Sequence, residues 1–225
     1  MNIAIDGPAG AGKSTIAKIV ASKTGNIYVD TGAMYRAMAV FFISKGIDAD
    51  DTEAVEANLN DANVTIRHEG GEQVVILNGE NVNGKLRTEE VGNMASRISV
   101  IASVRRKLVD LQRDLARTTD VVMDGRDIGT VVLPDAKLKI FLTAGADVRA
   151  ERRFKELAAK GIEADIKQIE ADIIERDNRD MNRSESPLKQ APDAVVIDSS
   201  YMTIDEVADK ILGLAEERRE KQNAG

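Results

Sequence analysis

The residues able to do chemistry stand at the start of the chain. Ile3 to Ile5 form an apolar run that ends at Asp6 and leads into Gly7-Pro8-Ala9-Gly10-Ala11-Gly12-Lys13-Ser14-Thr15. A glycine at each end of a four-residue spacer, followed by Lys and Ser, is a complete phosphate-binding loop pattern. The β- and γ-phosphates of a nucleotide need many hydrogen-bond donors at close range. Glycines let backbone N–H groups approach and point inward, and the helix that follows adds unpaired N–H groups and a partial positive charge. Lys13 supplies a mobile full charge, and the Ser14 hydroxyl is placed to ligate magnesium. A nucleoside triphosphate is the implied ligand.

A second set of candidates lies at strand ends farther along. Val121-Val122-Met123-Asp124 reads as a strand ending in a carboxylate, followed by Gly125-Arg126-Asp127-Ile128-Gly129-Thr130. A strand-terminal Asp is the usual partner of a phosphate-binding loop because it holds magnesium directly or through water. Ile27-Tyr28-Val29-Asp30 is another short strand, with Thr31 and Arg36 at the start of the helix after it. Arg36 by itself is either a binding group or a solvated helix residue. Spacing alone does not assign Ser96, Arg97, Arg105 or Arg106 to a ligand.

Two arginine sets follow. Arg149, Arg152 and Arg153 stand at i, i+3 and i+4 on a helix predicted from about Asp147 to Lys160, with Gly161 as its stop. Arg176, Arg179, Asp180 and Arg183 repeat the arrangement on the next helix. Such runs are often solvated faces, and Glu151, Glu156, Glu170 and Glu175 offer partners. In a chain that binds triphosphate, two arginine faces on one helical hairpin read as a lid over transferring phosphates.

The elements that position these residues alternate. Ile16, Ile19, Val20 and Lys23 recur at helical spacing before Gly25, and Met34, Ala37, Met38, Phe41 and Phe42 form a second stripe before Gly46. Asp50 and Asp51 are candidate caps for a short helix. The texture then changes: Val64 to Arg67 alternates, Glu69 to Glu72 turns, Val74 to Leu77 returns, and Asn78-Gly79 is a hairpin signal, so a small antiparallel insertion is expected here. Helix resumes at Thr88, with a later stripe of Val104, Leu108, Leu111 and Leu115; Leu138 to Leu142 and Ala194 to Ile197 read as buried strands. Thr203 to Glu206 is a capping box for a last helix with Val207, Ile211 and Leu214 inward, frayed beyond Glu216. Strands alternating with helices, with the phosphate loop first, predict an α/β P-loop NTPase fold: a central parallel sheet covered by helices on both faces.

Composition narrows the classes. The 225 residues are 43% hydrophobic and 31% charged, with no apolar run near the roughly 18 residues of a membrane span and no leader expected ahead of the first strand. There is no cysteine, which excludes thiolate metal sites, and His68 alone, beside Glu69-Gly70-Gly71 in an apparent turn, offers no histidine metal centre. A net charge of −7 argues against general nucleic-acid binding. The abundance of arginines without a general base beyond carboxylates favours an acceptor that is itself a phosphate, whose oxygen is already nucleophilic.

Four separated motifs carry a resemblance that covers essentially the whole chain. Gly7 to Thr15, Asp30-Thr31-Gly32-Ala33-Met34-Tyr35-Arg36, Asp124 to Thr130 and Glu175-Arg176-Asp177-Asn178-Arg179-Asp180-Met181-Asn182-Arg183 together resemble the bacterial cytidylate kinases. The resemblance implies one kinase domain with a core of residues 1–57, 99–146 and 184–225, a monophosphate-binding insertion at 58–98 and a lid at 147–183. It implies transfer of the γ-phosphate of ATP to CMP or dCMP with magnesium, by a cytoplasmic monomer without nucleic-acid or membrane partners. Gly7 to Thr15 would bind ATP, with Ser14 and Asp124 toward the metal. Thr31, Arg36, Arg126 and Arg183 would meet acceptor phosphate, Ser96, Arg105 and Asp127 would read cytosine, and Asp180 the sugar. Lys13, Arg126, Arg152, Arg153, Arg176 and Arg183 would stabilise the transferring group. Cytosine presents an N4 amino donor that a carboxylate accepts, whereas uracil would face Asp127 acceptor to acceptor. A kinase of the shikimate or gluconate type and a switch-type GTP-binding module are the alternatives; the former should lack the hairpin insertion, and the latter normally shows Asn-Lys-x-Asp, which does not occur.

Overall fold

Strand β1 (Ile3–Asp6) has no exposed residue, as a continuous apolar run requires when both sheet faces are covered. The computed structural model describes residues 1–223. From β1 the chain passes through the glycine loop into α1 (Lys13–Thr24), which ends on Gly25 in the left-handed conformation. Next come β2 (Ile27–Asp30) and α2 (Thr31–Ser44), whose first turn is capped by the Asp30 carboxylate accepting from Ala33 N at 2.9 Å. Asp51 caps α3 (Thr52–Asn58) in the same way.

The expected insertion is a three-stranded antiparallel sheet, β3 (Val64–Glu69), β4 (Glu72–Leu77) and the short β5 (Glu80–Asn81). The first turn is Glu69 to Glu72 as expected: Glu69 pairs with Glu72 across Gly70-Gly71. His68 lies within β3, not in a turn; its Nε2 is 2.9 Å from the Tyr28 carbonyl. After β5, α4 (Glu89–Ile98) and α5 (Ala102–Thr118) follow. On α5 the buried stripe is Val104, Arg105, Leu108, Val109 and Gln112, with Leu111 and Leu115 half-buried, so the inward face is rotated from the predicted one toward Arg105.

The remainder is β6 (Val121–Gly125), one π-type turn at Ile128–Val132, β7 (Leu138–Thr143), α6 (Ala146–Ala159), α7 (Ile166–Asn182), β8 (Val195–Asp198) and α8 (Ile204–Asn223). The capping box forms as read: Thr203 N donates to Glu206 Oε2 at 2.8 Å and Glu206 N to Thr203 Oγ1 at 3.2 Å. Helix α8 does not fray at Glu216 but continues to Asn223; residues 224–225, which the expected fraying also covered, lie outside the described residues.

The chain packs as two units, Met1–Ile27 with the stretch from Asp120 onward, and Tyr28–Thr119. In the first, β6, β1, β7 and β8 lie side by side and parallel, with Ile3 opposite both Val122 and Leu138. Ile27, where β2 begins, donates to the Asp120 carbonyl at 2.9 Å. Helices flank this sheet: α1 packs on β6 and on α8, and α8 on β7, while α6 and α7 pack together as a hairpin. The second unit is built around α2, which packs against α4, α5 and β4, with Met34, Met38, Phe42 and Ile98 fully buried. No helix among the described residues is long and apolar enough to cross a membrane.

Candidate active site

The glycine loop is shaped by what lies beneath it. Gly7 has φ 151°, and a Cβ there would fall 1.9 Å from the Leu142 carbonyl oxygen, so only glycine lets the loop leave β1 over β7. Lys13, the first residue of α1, is buried and its Nζ donates to the Pro8 carbonyl at 2.7 Å, arching across the loop. Burial, reinforced by the Arg126 guanidinium, lowers its amine to about 7, while Asp124 and Asp6 oppose that shift. The Ser14 hydroxyl donates to Asp124 Oδ2 at 2.9 Å. Hydroxyl and carboxylate oxygens suit a hard divalent cation that keeps several waters and takes its other ligands from phosphate. No group of three or more His, Cys, Asp or Glu side chains placed to hold a metal ion occurs among the described residues.

Two acid–arginine pairs tie the turn after β6 to the end of α7. Arg126 Nε donates to Asp180 Oδ2 at 2.8 Å, and Arg183 Nη2 lies 3.8 Å from Asp127 Oδ1. Arg183 follows the last turn of α7 with extended backbone, its Nε donating to the Ser186 carbonyl at 2.7 Å. It therefore turns off the helix on which Arg176 and Arg179 lie. Burial pushes the Asp180 carboxyl up, but charge and hydrogen bonding from Arg126, with Arg176 and Arg183, outweigh it and hold the group below the usual carboxylate range. Arg176 also bears on the Lys13 amine, so α7 brings a third positive charge toward the loop.

The arginines of α6 part company although their spacing suggests one face. Residues 152 and 153 are 100° apart around a helix, enough to send them to different surroundings. Arg149 is buried: Nη1 donates to the Ala9 carbonyl at 3.0 Å, Nε to the Ala144 carbonyl at 2.9 Å, and Nη2 meets Asp177 Oδ2 at 2.6 Å. It joins the glycine loop to both hairpin helices. Arg152 Nη2 donates to the Ser199 carbonyl at 2.6 Å. Arg153 is exposed and pairs with Glu156 at 3.3 Å.

In the second unit, Thr31 is buried at the first turn of α2, and Arg36 Nη1 is 3.9 Å from Asp30 Oδ1. Arg105 is buried, lies over the Tyr35 ring at 5.7 Å and donates from Nη1 to the Ser99 carbonyl at 3.1 Å. Ser96 is half-buried on α4 and its carbonyl accepts from Ser99 Oγ at 2.8 Å. Thr31 and Arg36 thus gather at one helix start, and Ser96 and Arg105 flank the bend between α4 and α5.

Several residues beside these escaped the sequence reading. Gln73 of β4 accepts from Asp30 N at 2.8 Å and donates to the Asp30 carbonyl at 3.2 Å, fixing the turn before Thr31. Arg87 Nη2 reaches Asp30 Oδ2 at 3.5 Å. Neither position has a periodic signal. Asp6 did have one, being a strand-terminal carboxylate like Asp124.

The chain matches the family described as cytidylate kinase over residues 3–217. It is 52% identical over 214 residues to the cytidylate kinase of Caldicellulosiruptor saccharolyticus, covering 95% of each chain. It is 48% identical over 219 residues to that of Lactobacillus johnsonii, covering 97% of this chain and 95% of the other. Among solved structures, a gluconokinase from Sinorhizobium meliloti 1021 superimposes with a TM-score of 0.50 at 15% identity, over 100% of this chain and 97% of that one; this likeness concerns the fold.

Proposed function

This chain belongs to the cytidylate kinase family, and we propose that it transfers the γ-phosphate of ATP to CMP or dCMP, giving ADP and CDP or dCDP. The observation that carries the donor side is the Lys13, Ser14 and Asp124 cluster at the mouth of the glycine loop. A phosphate oxygen of the acceptor forms the new bond to the γ-phosphorus as the bond to the departing ADP oxygen breaks. The negative charge leaves on ADP, and no general base is needed.

Backbone N–H groups of Gly7 to Thr15 and the Lys13 amine bind and orient the triphosphate. Ser14 and Asp124 would hold magnesium, which when bound neutralises charge on the β- and γ-phosphate oxygens. Arg152, Arg153 and Arg176 stabilise the transferring group, with Arg176 best supported by its electrostatic bearing on Lys13. From the second unit, Thr31 and Arg36 are assigned to acceptor phosphate, and Ser96 and Arg105 to the base. From the first, Arg126 and Arg183 are assigned to phosphate, Asp127 to the cytosine amino group and Asp180 to the sugar. The enzyme acts as a cytoplasmic monomer on these small molecules, without nucleic-acid or membrane partners; its net charge of −7 supports the absence of nucleic acid.

The test is ADP release in the presence of ATP and magnesium, with CMP, dCMP, UMP, AMP, GMP, shikimate and gluconate offered separately. Fast turnover with CMP and dCMP and much slower turnover with UMP is expected. Turnover confined to shikimate or gluconate would discard every acceptor assignment, and no acceptor-stimulated release would discard the kinase reading.

A further inference from the structure

Asp6 is used by none of the roles above, yet it is buried and fully engaged. It ends β1 opposite Gly125 of β6 and Phe141 of β7. One carboxylate oxygen accepts from Ile128 N at 2.7 Å and the other from Gly129 N at 2.7 Å. These are the first two amides of the π-type turn Ile128–Val132, which have no acceptor within the turn itself. Asp6 therefore caps, from a neighbouring strand, the turn that begins immediately after Asp127. At that same end the Asp127 carbonyl accepts from Val131 N at 2.8 Å and Val132 N at 3.2 Å across the turn, so its backbone is held by the turn as well.

Space around the turn is as restricted as its hydrogen bonding. A Cβ added at Gly129 would lie 3.1 Å from Lys139 Cδ and 3.3 Å from Asp6 Oδ2. The Lys139 stem is in turn fixed by its ion pair with Asp193 at 2.9 Å. Burial pushes the Asp6 carboxyl up to about 6, with the Gly129 and Ile128 amides opposing, which leaves it a carboxylate at neutral pH and an acceptor for both amides.

We infer that Asp6 is a positioning residue for base selection: by holding the amides of Ile128 and Gly129 it fixes the place of the Asp127 carboxylate beside Arg183. This rests on the assignment of Asp127 to the cytosine amino group. Selection between an amino group and a carbonyl depends on where one acceptor stands, so a turn free to shift by a fraction of an ångström relaxes the choice before it abolishes turnover. The residue just before the proposed ATP-binding loop thereby sets the acceptor's base preference.

The experiment is steady-state kinetics of Asp6→Ala, Asp6→Asn and Gly129→Ala with CMP and with UMP, ATP being varied separately, and with Asp127→Ala alongside. For Asp6→Ala the ratio of kcat/KM for CMP over UMP is expected to fall at least about tenfold, with the KM for CMP rising more than that for ATP. Asp6→Asn keeps one acceptor oxygen and is expected to lie between this variant and the unaltered enzyme. Gly129→Ala presses on the same carboxylate while leaving it in place, and is expected to lower the ratio too. Should Asp6→Ala fail to fold, Gly129→Ala decides by the same ratio. An unchanged ratio with all constants falling together overturns the inference, and if Asp127→Ala lowers the ratio in that experiment, the base assignment survives without it. An unchanged ratio in Asp127→Ala overturns the base assignment and, with it, the role of Asp6.

Discussion

Ser14 on α1 and Asp124 at the end of β6 meet at 2.9 Å, hydroxyl to carboxylate, although 110 residues separate them. The hydrogen bond places two hard oxygen donors side by side, so if they hold magnesium as proposed, the Asp124 charge would supply much of its affinity. Asp124→Asn preserves an acceptor for Ser14 and removes that charge. The magnesium concentration needed for half-maximal turnover at fixed ATP is expected to rise about 10- to 100-fold, with the thermal unfolding midpoint little changed. An unaltered magnesium titration would remove Asp124 from the metal site.

Lys13 makes one hydrogen bond to its own loop and otherwise lies in a desolvated position. Its replacement by alanine removes a costly buried amine together with one bond worth about 1 kcal/mol, so the fold should persist. Turnover should drop by about 10²- to 10³-fold, since charge and position at the β- and γ-phosphates vanish together. Circular dichroism and single-turnover kinetics check the two halves of this expectation, and unchanged turnover would refute the assignment.

Much of this arrangement is legible in the sequence, for a physical reason that differs by element. The glycine loop is readable because its backbone geometry admits few residue types, as the contact between a Gly7 Cβ and Leu142 shows. The capping box at Thr203 and the hairpin from Val64 are readable because their chemistry is local. Arg149 is different: it shares the helical spacing of Arg152 and Arg153, and only tertiary packing separates a buried tie to Ala9 and Asp177 from an exposed pair with Glu156. The inward turn of Arg105 on α5 is hidden for the same reason, since a polar residue on an apolar stripe leaves no periodic mark. Gln73 acts through the Asp30 backbone, a partner whose identity sequence cannot record.

The Arg149–Asp177 pair is buried on both sides and its second carboxylate oxygen has no hydrogen bond. Removing one partner leaves an uncompensated charge in a dry site, which typically costs about 3–5 kcal/mol. Arg149→Ala and Asp177→Ala should each lower the thermal midpoint by at least about 6 °C for a chain of this length. The double variant should lose less than the sum of the two, as a double-mutant cycle would measure. Strict additivity would show that the pair does not act as a unit.

Asp180 supplies a pH signature. Its carboxyl is held below the ordinary value of 3.8 by Arg126, Arg176 and Arg183 against the upward push of burial. The folded state therefore favours the carboxylate, so the stability it contributes is fully present above pH 3.8 and is lost as the pH falls through the depressed folded value. Asp180→Asn is expected to cost about 1.5–3 kcal/mol at pH 7, the range for a hydrogen bond to a charged group. Urea unfolding of the two proteins between pH 7 and pH 3 should show a constant gap down to about pH 5 and a narrowing one below pH 4, where the Asp180 carboxyl of the unfolded chain takes up a proton that the folded enzyme does not yet bind. A gap that stays the same at pH 3 would mean that the Asp180 charge contributes nothing to the pairing with Arg126.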